Sequence, residues 1–115
     1  MNLDELVREI RAVSTDLAVQ GVADQLAAWK DSPATADDLA ATLERYIGNV
    51  WIGSKQDHDQ VYALWSAFRQ DAISAIGGMT MNERLYWFGL FEQFDSLQSD
   101  ADRQALYRKL HAGGA

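Results

Sequence analysis

Along this chain a small polar residue is repeatedly followed three positions later by an acid, as in Asn2 with Glu5, Thr35 with Asp38, Thr80 with Glu83 and Ser99 with Asp102. Such a pair answers the free amides of a helix's first turn, so each marks a helix start. After each start the apolar residues recur at three-four spacing, the period of one buried helix face. Leu3, Leu6, Val7, Ile10, Val13 and Leu17 form the first stripe, with Asp4, Arg8, Glu9 and Arg11 on the outer side. The spacing predicts that this helix kinks or restarts near Gly21, continues through Val22, Leu26 and Trp29, and stops at Asp31, Ser32 and Pro33.

The second start puts Leu39, Leu43, Tyr46 and Ile47 inward, with Gly48 and Asn49 as its stop. A long helix is expected to begin between Ser54 and Asp57 and to run to Ile76 through Val61, Leu64, Trp65, Phe68 and Ala72, ended by Gly77 and Gly78. The Thr80 start opens one segment from Met81 to Phe94, with Leu85, Phe88 and Phe91 on one side and Tyr86, Trp87, Leu90 and Phe94 round the other. A helix apolar on nearly all sides needs neighbours or a partner around it. The last helix carries Leu106, Tyr107 and Leu110, with Arg108 and Lys109 placed to answer the negative end of its dipole. No stretch alternates apolar and polar residues long enough for a strand. The sequence therefore predicts an all-α, single-domain bundle of five or six helices with short connections over residues 1–112, followed by a flexible C-terminal tail at 113–115.

At 115 residues there is room for one core. Lys and Arg number 10 against 17 Asp and Glu, a formal net charge of −7, which repels phosphate backbones and anionic lipid. Neither nucleic acid nor membrane is expected as a partner, whereas a basic protein would be drawn in. With no cysteine, disulfides, thiolate metal sites and a cysteine nucleophile drop out, which fits a cytoplasmic location. The acid-bearing start, Met1 to Arg11, is unlike a secretory signal, and the longest apolar run, Leu85 to Phe91, is far short of a membrane span.

Asp57, His58 and Asp59 place imidazole beside carboxylate, as a metal site or an acid/base pair would require. Consecutive residues at a helix start point in different directions, however, and helical metal ligands need i, i+3 or i, i+4 spacing. Acid there answers the dipole. No cofactor is expected, since Gly77-Gly78 lacks the lysine and the spacing of a phosphate-cradling loop. The aromatic residues point elsewhere. Trp51 and Ile52 put large apolar surface into a connection, where they either anchor a partner or fold back as a plug over the core. Tyr86 and Trp87 lie opposite an already sufficient inward stripe. The acids Asp37, Asp38, Glu44, Asp57, Asp59 and Asp71 outweigh Arg45, Lys55 and Arg69 in the middle third, as an acidic docking face would.

The stretch Thr80-Met81-Asn82-Glu83-Arg84-Leu85, followed by Gly89-Leu90, Phe94-Asp95, Asp102-Arg103 and Leu110, resembles a C-terminal segment of small helical bacterial proteins, a likeness covering about a third of the chain. In general character, as a short, acidic, cysteine-free helical chain, it also resembles the immunity proteins that bacteria make against polymorphic toxins, including those of contact-dependent inhibition. That resemblance implies a non-enzymatic module that binds and blocks a basic toxin domain. Its candidate contacts are Asp37, Asp38, Glu44, Trp51, Ile52, Asp57, Asp59, Tyr86 and Trp87. Two other readings stay open: a homodimer built on Tyr86, Trp87 and Phe94, and a small enzyme or metal-binding protein using Asp57, His58 and Asp59.

Overall fold

The computed structural model describes residues 1–110; the expected tail at 113–115, with His111 before it, lies outside them. Among the described residues there is no strand, and the architecture is all-α. Seven α-helices follow one another there: α1 (Leu3–Val13), α2 (Leu17–Trp29), α3 (Ala36–Asn49), α4 (Lys55–Phe68), α5 (Met81–Trp87), α6 (Phe91–Ser96) and α7 (Asp100–Lys109). A π turn, Arg69–Ile73, and a 3-10 turn, Ile76–Gly78, link α4 to α5. None of these helices is long and apolar enough to cross a membrane.

The first four helices run alternately up and down. Lys30 after α2 pairs with Asp4 at the start of α1 (2.9 Å), so these two are antiparallel. The Trp29 indole N–H donates to the Thr35 carbonyl (3.0 Å), which turns α3 back along α2. Helix α4 returns against α1 and closes the bundle. Their inward stripes, among them Leu6, Ile10, Val22, Leu26, Leu43, Val61 and Trp65, form one continuous core. The shorter helices α5 to α7 lie over one end. Phe88, the residue that ends α5, reaches between Trp29 (ring centroids 5.4 Å apart) and Phe68 (5.7 Å), joining this cap to the bundle.

The helix count exceeds the expected five or six because two long segments break. The first breaks at residues 14–16, where the Asp16 carboxylate accepts the Ala18 amide (2.9 Å) and starts α2 afresh. Leu17, expected in the buried stripe, becomes the first residue of α2 and is 87% exposed. Gly21 lies inside α2, which continues unbroken through it. The second break is at Gly89 (φ 66°), where the Leu90 amide bonds the Leu85 carbonyl (2.9 Å) and the Gly89 amide bonds that of Tyr86 (3.2 Å). This paired pattern, with apolar Leu85 and Leu90 at the two ends of the outer bond, is a Schellman stop. It reverses the expected facing: Leu90 is fully buried and Phe91 is exposed.

The expected run to Ile76 also changes pitch. The Ser74 amide bonds the Arg69 carbonyl (2.8 Å), five residues back, and the widened turn buries both Ala72 and Ile73. Lys109 differs most from expectation, being 4% exposed and aimed away from its own helix end.

Gly21 is required for close approach, because a Cβ there would overlap the Tyr46 hydroxyl and lie 3.2 Å from the ring carbon that bears it. Gly21→Ala should destabilise the chain by about 1 kcal/mol or more through this overpacking. In a Tyr46→Phe background the same change should cost little or turn favourable, as alanine does inside a helix. Denaturant midpoints of the four chains test this, and equal effects in both backgrounds would rule the contact out.

Candidate functional site

The two most exposed large apolar side chains among the described residues, Leu17 at 87% and Trp51 at 84%, belong to one end of the bundle. Asp16 fixes them there. Its Oδ1 caps α2 through the Ala18 amide, and its Oδ2 accepts the Gly53 amide (3.1 Å) across 37 residues of sequence. The Asp16 amide in turn donates to Ser14 Oγ (3.0 Å). One carboxylate thus ties the backbone just before Leu17 to that just after Ile52. The Ala18 amide foremost, then that of Gly53, holds the Asp16 carboxyl below the usual carboxylate range.

Trp51 and Ile52 divide the two roles open to them. Ile52 is 7% exposed and joins the core, while its neighbour Trp51 faces out. The buried Ile52 and the Asp16 bond to Gly53 hold the chain just after Trp51, and the Val50 amide bonds the Tyr46 carbonyl (2.9 Å) just before it, so the indole is presented from a connection held on both sides. Beside it, along the seam of α2 and α3, a groove of about 460 Å³ is lined by Gln25, Thr42, Arg45, Tyr46, Asn49 and Val50.

The acids named in the sequence do not converge on this site. Asp37 and Asp38 occupy the first turn of α3, at its far end from Trp51, about 20 Å away along a helix of this length. Asp38 is engaged in a capping box with Thr35. Glu44 pairs with Arg69 between α3 and the π turn. Asp57 lies in the first turn of α4, where its amide donates to Ser54 Oγ (3.3 Å). Asp59 pairs with Lys55 one turn away (3.0 Å), and that hydrogen bond is the main cause lowering its pKa. Asp57 and Asp59 therefore share the Trp51 end, and the others do not.

His58 approaches Asp59 at 3.8 Å. Among the described residues no group of three or more His, Asp or Glu could hold a metal ion. Tyr86 is half exposed and Trp87 largely covered, with their rings edge to face (centroids 6.0 Å apart). They lie beside Gly89, whose Cα abuts the Asp4 carboxylate at the start of α1. That is the end of the bundle opposite Trp51, about 16 Å along α1.

Asp16 and Leu17 escape a reading of the sequence. Asp16 lacks an acid three residues on, and its second partner, Gly53, is remote. The cluster Ser14-Thr15-Asp16 between two apolar stripes is the signal that could have revealed a break there. Comparison with protein-family models, with curated proteins and with solved structures finds no match for this chain.

Because the folded Asp16 pKa lies below its unfolded value of 3.8, the carboxylate's contribution to stability is complete above that value. It fades as pH falls through the lower, folded pKa. Asp16→Asn should abolish that acid-side component and release the Trp51 connection. The readout is the difference in fluorescence between each chain and its Trp51→Phe counterpart, titrated from about pH 6 downward. Superimposable titrations for the wild-type and Asp16→Asn chains would remove the clamp.

Proposed function

We propose that this chain is a non-enzymatic protein-binding module, an immunity protein that acts in the cytoplasm by covering a cognate basic toxin domain. The observation that carries the reading is the exposed indole of Trp51, held on a tethered connection next to exposed Leu17. Tryptophan is the residue type most enriched among interface positions that dominate binding energy. A fixed aromatic loses little conformational freedom on binding, which favours affinity. The net charge of −7 supplies attraction to a basic surface. Since the acids are spread over the bundle, that attraction acts as a field guiding encounter, and Trp51 with Leu17 provides the short-range contact.

Half-exposed Tyr86 and Phe91, on either side of the Gly89 turn, favour a second reading as a homodimer through the other end. Light scattering separates the two, since a monomer at high concentration leaves the Trp51 end as the docking surface.

Trp51→Ala should leave stability within about 0.5 kcal/mol, as expected for an exposed side chain. It should weaken binding to the toxin domain encoded beside this chain by about 2 kcal/mol or more, roughly thirtyfold. Ile52→Ala should instead destabilise the fold by about 2–4 kcal/mol. Calorimetric affinity at low and high salt, with thermal melts of each variant, decides. Unchanged affinity on removing the indole eliminates Trp51 as anchor, and a wild-type chain that binds no neighbouring gene product at low salt eliminates the immunity role.

A further inference from the structure

The turn between α2 and α3 presents an unusual set of acceptors. The Lys109 ammonium donates to the carbonyls of Trp29 (2.5 Å), Ser32 (2.5 Å) and Ala34 (3.1 Å). It also stands 3.8 Å from the centroid of the Trp29 ring. A primary ammonium has three N–H donors and no acceptor, so three carbonyls satisfy it completely, while the indole face takes up the remaining charge. The Trp29 carbonyl ends α2, where negative partial charge accumulates, and it accepts the Ser32 amide (3.0 Å) and hydroxyl (3.0 Å) as well as the ammonium. A guanidinium is flat and carries its donors in a fixed fork, which does not match three acceptors converging on one nitrogen.

We propose that the turn 29–34 is a receptor for a primary ammonium group, and that Lys109, as its resident ligand, latches α7 onto the bundle. The rest of α7 supports this assignment. Besides Lys109, its deeply buried side chains are Leu106 and the following Leu110, and most of its other positions are charged or exposed. Two deeply buried apolar residues, with the partly exposed Tyr107 and Arg103 against the Phe94 ring (5.7 and 5.8 Å), hold a ten-residue helix only modestly, so the clasp decides whether α7 stays down. Its neighbouring bonds, Arg84 to the Leu110 carbonyl (3.3 Å) and Arg103 to that of Leu97 (3.2 Å), are longer and lie at the helix ends. Burial pushes the Lys109 pKa down to about 8, with the Asp31 carboxylate pulling the other way, so the clasp is closed by the charged form at neutral pH. Opening it would uncover the face of the Trp29 ring, whose contact with Phe88 joins the cap to the bundle.

The test is hydrogen exchange on the full chain at neutral pH. Lys109→Met keeps the aliphatic stem and deletes the ammonium; α7 amides should exchange roughly tenfold faster or more, while those of α1 to α4 stay within about twofold. Lys109→Arg should behave like Lys109→Met. In Lys109→Ala, n-propylammonium chloride restores the deleted atoms and should recover α7 protection, whereas equal sodium chloride or tetramethylammonium chloride should not. If Lys109→Ala does not fold, recovery of helical circular dichroism under the same three salts replaces exchange as the readout. Protection of α7 in Lys109→Met within about twofold of wild type would overturn the latch. Recovery that is absent, or equal in all three salts, would overturn the ammonium receptor.

Discussion

Trp29 is the residue on which the arrangement of the cap depends. It ends α2, and each part of its indole is used by a different element. The ring N–H fixes Thr35 and so the entry to α3. One side of the ring system lies against Phe88, which leads through Phe68 to Trp65 in a continuous file of aromatic contacts (centroids 5.4, 5.7 and 6.0 Å apart). Another face receives the Lys109 ammonium. Tilted and edge-on aromatic pairs each add about 0.5–1.5 kcal/mol beyond the area they bury. The polar contacts matter more for specificity, since they fix the rotamer and thereby the positions at which α3, α5 and α7 can dock. An aliphatic side chain of equal volume could fill the space but could not satisfy Thr35 and Lys109 together.

What could be read beforehand follows the range of the interactions. The starts of α1, α3 and α5 were legible because a capping box is closed within four residues, and in all three both halves of the box are formed. The start of α2 was not, because Asp16 caps at a different spacing and draws part of its purpose from an amide 37 residues away. The Gly89 stop was hidden by its setting. An unbroken apolar run reads as one helix, although the glycine flanked by Leu85 and Leu90 carries the Schellman signature once the left-handed turn is known. Trp51 and Ile52 were visible as misplaced apolar surface, but the choice of which one turns inward belongs to the packing of the core. For Lys109 the local pull of its own helix end is real, but the tertiary acceptors of the 29–34 turn outweigh it.

The two ends of the bundle are finished differently. At the α5 to α7 end most apolar surface is covered by short helices, with Tyr86 and Phe91 half exposed, and even a lysine is drawn in and satisfied. At the other end two large apolar residues stand out in water although small polar side chains there would cost the fold nothing. Exposed apolar residues are ordinary when scattered singly, so exposure alone carries little weight. The weight comes from Asp16, which uses both carboxylate oxygens to immobilise the backbone under them. A side chain left out only because the core had no room for it would not need its connection fastened at two points.

That difference also orders the electrostatics of the proposed binding. Paired acids such as Glu44 with Arg69 and Asp59 with Lys55 are already partly neutralised and have solvent around them. Such pairs contribute little locally. The uncompensated excess nevertheless sums to a field that extends about 8–10 Å in physiological salt. A basic partner would feel the whole bundle on approach and only the Trp51 end on contact. Rate of encounter and lifetime of the complex would then be governed by different residues, the first by total charge and the second by a few apolar atoms on a clamped loop. Sequence change among the dispersed acids is tolerable on this arrangement so long as the sum persists, whereas the Asp16 to Gly53 bond admits no substitute that lacks two acceptors.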